Sequence, residues 1–230
     1  MLELECYDKI VNQLVKNNFP DIILFDFYYF DGKISQIPNS YPDTLKSPID
    51  YLLHIWTTQQ YNCVWQYVHK RELCRDIVFD RNINLGEDTI YTSQLLYNAS
   101  SIFHYKEYLI YYVTDDNSMS RSKYNKDQIS SVLLFPDIIR DLMTKKPEAI
   151  NWEKELLALK LQSYATLIRN GVIEILPEAS VEIEKGIKKY PDLKDTGLIR
   201  TIMKIIRLYR INPILSDILI SYYRYKKKIR

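Results

Sequence analysis

Apolar residues recur near the start of the chain at Leu4, Tyr7, Ile10, Val11, Leu14 and Val15. Steps of three and four place them along one face of a helix, which Pro20 ends. From Ile22 to Phe30 the pattern changes to β-branched and aromatic residues and closes at Asp31-Gly32, predicting a strand followed by a turn. Ile23, Phe25, Phe27 and Tyr29 alternate with Leu24, Asp26, Tyr28 and Phe30. Both faces are mostly apolar, as in a strand inside a covered sheet.

Pro38, Pro42 and Pro48 interrupt the stretch from Ser35 to Ser47, so a loop is predicted there, with a helix resuming at Pro48. The segment Cys63 to Leu73 begins extended and becomes basic. Gly86 then precedes the acidic pair Glu87-Asp88, after which Ile90, Leu95, Leu96 and Ala99 fit a helix. Two aromatic runs, Ile102 to Tyr105 and Tyr108 to Val113, read as two short strands. Beyond Lys126 the chain turns to long amphipathic segments broken at Pro147, Gly171, Pro177, Pro191 and Pro213, which predicts about five helices. No internal repeat or low-complexity segment interrupts this order.

Composition narrows the classes. At 230 residues, 47% hydrophobic and 26% charged, the chain can bury a real core, and one domain with a helical extension is expected. A net charge of +2 is too small for a nucleic-acid partner. The three cysteines Cys6, Cys63 and Cys74 form no Cys-x-x-Cys pair, so they read as reduced residues rather than a disulfide framework or zinc knuckle. No apolar run reaches the ~18 residues of a membrane span. The first thirty residues carry acids where a signal peptide carries bases, so a cytoplasmic location is expected. Twenty tyrosines, spread along the chain, read as half-buried surface.

Charge is concentrated at one end. Between Arg200 and Arg230 there are nine Lys or Arg residues and one acid, Asp217, a local charge of +8 (nine minus one). Interleaved with isoleucines and tyrosines, this pattern fits an anionic membrane surface, or a helix packed on the domain with a basic end.

Two carboxylates in a first helical turn have an ordinary explanation, because the helix dipole and the free backbone N–H groups favour them. Their flanks add more: VWQYVHKREL from Val64, then Phe79, then NLGEDTIYTSQLLYNASSI, then LIYYVTDDNSMS ending at Ser120. This string resembles the second half of bacterial family 2 glycosyltransferases, which have the GT-A fold. In that family Val-Trp-Asn-x-x-x-x-Arg-x-Leu precedes a Phe and a Gly-Glu-Asp that opens a helix, and a tyrosine-rich strand then leads to Asn-Ser-Ile-Ser. Leu2 to Tyr7 resembles the helix that follows the family's Asp-x-Asp motif, and Asp21-Ile22-Ile23 the next strand. Gln66 stands where the family commonly has Asn, and Val113 where it usually has Arg. No Asp-x-Asp triplet occurs in the sequence.

The resemblance implies a helix-rich α/β fold, with residues 1–125 as the acceptor-side part of a GT-A domain and 126–230 as a C-terminal helical region. It implies inverting sugar transfer from a nucleotide-sugar donor to a glycan or lipid-linked acceptor, weak or absent in this chain alone. Asp88 maps to the general base and Glu87 to a residue that binds the acceptor or orients its loop. Trp65 is expected to stack on an acceptor sugar or to sit in the core. Lys70 and Arg71 are expected to face the donor phosphates or to form a solvated basic turn. His104 reads as a packed residue, a sugar contact or, less favoured, a metal ligand. The complete family enzyme uses a divalent metal, Mg or Mn, on a platform that the resemblance does not reach. A partner chain supplying the nucleotide-binding half is one expectation, together with a peripheral position at the inner membrane face. A non-catalytic module that pairs with an active transferase or assembly partner is the alternative.

Overall fold

Nine residues, Ile22–Phe30, form a strand (β1) with which every other strand described here pairs. The computed structural model describes the whole chain except residues 1, 31, 38–40, 59–61, 78, 114–123, 145–151 and 230. The described residues fold into a helix-rich α/β structure of four strands and eight α-helices. They divide into two compact units.

The first unit comprises residues 1–55, 60–80 and 87–122. In it α1 (Cys6–Lys16) leads to β1, followed by β2 (Ile34–Ile37), α2 (Pro48–Thr58) as far as Ile55, β3 (Tyr67–His69), α3 (Glu87–Asn98) and β4 (Ile102–Val113). The first half of β1 pairs antiparallel with β3, as Leu24 with Tyr67, and its second half pairs antiparallel with β2. Its other edge runs parallel to β4 along its length. Ile22 to Phe27 are all buried, as a strand apolar on both faces requires. Cys6 and Ile10 of α1 close one face over Ile23, Phe25 and Leu109.

Three details differ from the sequence reading. The loop predicted from Ser35 begins instead as β2, because Gly32, with φ 92°, lets the chain double back before the first proline. The two aromatic runs form one strand. Phe25 pairs with Tyr105 but Asp26 with Tyr108, so the polar residues Lys106 and Glu107 are accommodated as an irregularity within β4. On α1 the apolar stripe is wider than the face it covers, leaving Tyr7, Val11 and Val15 exposed. The break expected at Pro147 lies outside the described residues.

The second unit comprises residues 56–59, 81–86 and 123–230. It contains α4 (Lys126–Thr144), α5 (Glu153–Arg169), α6 (Leu176–Lys189), α7 (Gly197–Ile211) and α8 (Pro213–Ile229). Helix α5 is its centre, with Ala158, Leu161, Ala165, Leu167 and Ile168 fully buried. Its Gln162 Nε2 donates to the Trp56 carbonyl at 2.7 Å, satisfying a buried amide.

Asp21 joins the starts of β1 and β4 to the end of β3. Its carboxylate accepts from Lys70 Nζ at 2.8 Å, Ser100 N–H at 2.7 Å and Ser101 N–H at 3.2 Å. Burial alone raises its pKa, but these hydrogen bonds, with the Lys70 charge, outweigh burial and hold it below the ordinary carboxylate value. Asp21→Ala is expected to destabilise the chain by about 2 kcal/mol at neutral pH, since two backbone donors and an ammonium lose an ionised acceptor. A depressed carboxylate stabilises above its unfolded pKa and loses that contribution as pH falls through its folded pKa. Urea unfolding followed by tryptophan fluorescence should therefore show the gap between wild type and variant closing in acid. A gap independent of pH would contradict the clamp.

Candidate functional site

The acidic pair is set by the glycine before it. Gly86 has φ +103°, and a Cβ there would lie 2.6 Å from Phe135 Cδ1, so conformation and space both demand glycine. Helix α3 starts at the next residue, placing Glu87 and Asp88 in its first turn. Within α3, Thr92 Oγ1 donates to the Asp88 carbonyl at 2.7 Å and accepts from Asn62 Nδ2 at 2.6 Å. Tyr67, on β3, donates from its hydroxyl to Asn62 Oδ1 at 3.0 Å.

The Asp88 carboxylate is half-buried and reaches beyond its own helix. It accepts from the backbone N–H of Val64, the first residue of a 3-10 turn over Val64–Gln66. Gln66 is fully buried and holds that turn closed: its N–H donates to the Cys63 carbonyl at 3.0 Å, and its Oε1 accepts from Cys63 N–H at 3.3 Å. Glutamine at this position thus has a structural use.

Burial raises the Asp88 pKa, the adjacent Glu87 raises it further, and the Val64 N–H lowers it; the result is about 6. Glu87 Oε2 is buried without a hydrogen-bond partner among the described residues. Cys63 stands close by, its thiol pushed up to about 12 by burial and then by the charges of Asp88 and Glu87. Burial likewise raises the Tyr67 phenol, with Cys63 and Asp88 adding to the shift. Sequence reasoning misses Asn62 and Tyr67 and reads Cys63 only as a reduced cysteine. Their only signal is position, one helical turn or less from the Val64–Gln66 element, and their partners are distant in sequence.

Trp65 is half-buried beside this turn. Tyr112 stacks on it with centroids 5.5 Å apart and planes 13° apart, and the Phe27 ring meets it edge-on at 5.0 Å. One indole face is therefore already covered. Phe79, part of the family pattern, stacks on Tyr91 of α3 at 4.9 Å. Lys70 is held by Asp21 at 2.8 Å, whereas Arg71 is exposed at the start of a 3-10 turn over Arg71–Cys74. His104 Nε2 lies 3.0 Å from Asp26 Oδ1, with both side chains only 6% exposed and the Tyr41 ring edge-on at 5.6 Å. This pair lies on β1 and β4. The end of the family pattern, near Ser118, lies outside the described residues.

No group of three or more His, Cys, Asp or Glu side chains among the described residues is placed to hold a metal ion. The arrangement offers no such donor set among the described residues. What it offers is a partly desolvated carboxylate, more basic than a free one, beside a second carboxylate. Such a group takes protons from hydroxyls or amines.

No family model matches the chain, and no curated protein matches it. Its fold is similar to a solved glycosyltransferase structure, S. aureus TarS 1–349 in complex with UDP-GlcNAc, with a TM-score of 0.56 and 15% sequence identity. The match covers 97% of this chain and 62% of that chain, so the chain spans less than two thirds of the structure it resembles.

The raised Asp88 pKa has a measurable cost. Its value moves from 3.8 to about 6 on folding, so the folded state holds the proton more tightly, and stability falls as pH rises through that interval. For a fully buried group the effect is roughly 3 kcal/mol; solvent contact at Asp88 reduces it to about 1 kcal/mol. Asp88→Asn keeps an acceptor for Val64 N–H and is expected to be more stable than wild type by that amount at pH 7.5 and equal to it below pH ~4. Unfolding curves across this range measure the difference; a variant less stable than wild type at pH 7.5 would contradict the assignment.

Proposed function

We propose that this chain is the acceptor-side portion of an inverting, family 2-like GT-A glycosyltransferase. Asp88 acts as its general base. The observation that carries the reading is the Asp88 carboxylate, held by a backbone N–H of a neighbouring element, partly desolvated and set against Glu87, in a fold similar to a transferase. In the proposed step Asp88 removes the proton of an acceptor hydroxyl as its oxygen bonds to the anomeric carbon. The bond from that carbon to the diphosphate breaks, and its electron pair leaves with the nucleoside diphosphate.

The donor is a nucleotide sugar, in keeping with the UDP-GlcNAc held by TarS. The acceptor is a glycan or a lipid-linked sugar, and the reaction belongs at the cytoplasmic side of the membrane. Glu87 orients the acceptor loop, and the uncovered side of Trp65 receives a sugar ring. Of the two cations, Arg71 is the better placed for a donor phosphate, since Lys70 is engaged by Asp21. The nucleotide platform, with its divalent ion, belongs to the part of the family that the sequence resemblance does not reach. A partner chain or further polypeptide would supply it.

A second reading is an interaction module that pairs with an active transferase. It is favoured by the apolar outer surface left by Leu4, Tyr7, Val11 and Val15, since exposed apolar patches mark association sites. Both readings include a partner; they differ on Asp88. With a nucleotide-binding half supplied in trans, Asp88→Asn is expected to lower sugar transfer by about 10²- to 10⁴-fold, the usual contribution of a general base. Product formation from a radiolabelled nucleotide sugar reads this directly. Unchanged transfer would remove the base and leave the module.

A further inference from the structure

Helix α8 packs inward through Ser216 and Ile220, both buried. Its outer side carries apolar residues beside the exposed Asp217 and Ser221: Ile214, Ile218 and Tyr222 are 67%, 60% and 48% exposed, and Leu215 beside them is also exposed. Steps of four residues join these three into a continuous stripe along the helix. In sequence, Tyr225 follows three residues after Tyr222 and Ile229 four after that, steps that also fit one side of a helix. The last seven positions add Arg224, Lys226, Lys227, Lys228 and Arg230 and no acid.

An apolar stripe followed by concentrated positive charge restricts what can cover it. A second copy aligned in parallel would bring five cations against five. Aligned antiparallel, it would offer one acid, Asp217, to each such cluster. An anionic lipid surface satisfies both features together: the stripe enters the boundary between headgroups and acyl chains, and headgroup phosphates neutralise the cations. No helix of the described residues is long and apolar enough to cross a membrane, so this one would lie along it.

We infer that α8 is a membrane-surface helix that docks the chain on anionic lipid through Ile214, Ile218 and Tyr222, with the basic residues that follow. The inference stands apart from the transferase reading, because neither Asp88 nor a donor enters it.

Vesicle flotation of the full chain tests it, comparing phosphatidylcholine vesicles with vesicles that also contain phosphatidylglycerol. The chain is expected to float with the anionic vesicles and not with the neutral ones, and added salt should release it. Ile214→Ser with Ile218→Ser changes exposed side chains only, so circular dichroism should be unaltered while flotation is lost. Lys226→Gln, Lys227→Gln and Lys228→Gln together should weaken binding by about 10²-fold, each cation near the surface contributing roughly fivefold. Equal flotation with both vesicle types would overturn the inference, as would unaltered flotation of the double serine variant. So would a dimer in light scattering that the double variant dissolves, in the absence of vesicle binding.

Discussion

The first unit depends on β1 being buried on both faces and paired along both edges. Ile22, Ile23, Leu24, Phe25 and Phe27 leave it no solvent-facing side, so its neighbours are fixed by the need to cover it. One polar residue interrupts this: Asp26, whose burial would be costly without a partner, is offset by the hydrogen bond with His104 on β4. The consequences run outward from the strand. Leu24 fixes Tyr67 by pairing, β3 fixes the adjoining Val64–Gln66 turn, and that turn directs the Val64 N–H at Asp88. The carboxylate is thus positioned by a strand from which it is separated by two elements, which is why a core substitution in β1 would be felt at the acidic pair.

Sequence showed what is local and missed what is not. The limits of β1 were readable because an apolar run on both faces ended at a glycine that must turn. The start of α3 was readable because glycine, two acids and a helical period coincide within a few residues. The β2 hairpin escaped because its four residues sit beside a proline cluster whose loop signal is stronger. The single β4 strand escaped because Lys106-Glu107 interrupts an aromatic run in the way a turn would. The Asp26–His104 pair joins residues 78 positions apart, and the Asn62–Thr92 bond 30 apart. No spacing rule reaches such pairs: the parallel pairing of β1 with β4 decides the first, and the packing of α3 beside the chain before the Val64–Gln66 turn decides the second. On α1 and α8 the periodicity was visible, but which apolar residues would stay uncovered was not, because burial depends on neighbours that the period does not name.

The ordinary account of acids at a helix start makes a prediction about Asp88 that the structure does not meet. A carboxylate that caps a helix receives the free N–H groups of the first turn and the positive end of the dipole, and both stabilise its charged form. Its pKa should then fall, as that of Asp21 does under its own backbone donors. That of Asp88 rises, because burial and Glu87 outweigh the one N–H it accepts from Val64. The arrangement costs stability at neutral pH where a serine or asparagine cap would not. Groups held at such a cost cluster where chemistry uses them. A pKa of about 6 suits a base at neutral pH: the ionised form is available, yet it accepts a proton more readily than a free aspartate does. Capping explains why carboxylates are tolerated at the head of α3; it does not explain why one of them leans away from its helix into a drier setting beside another acid.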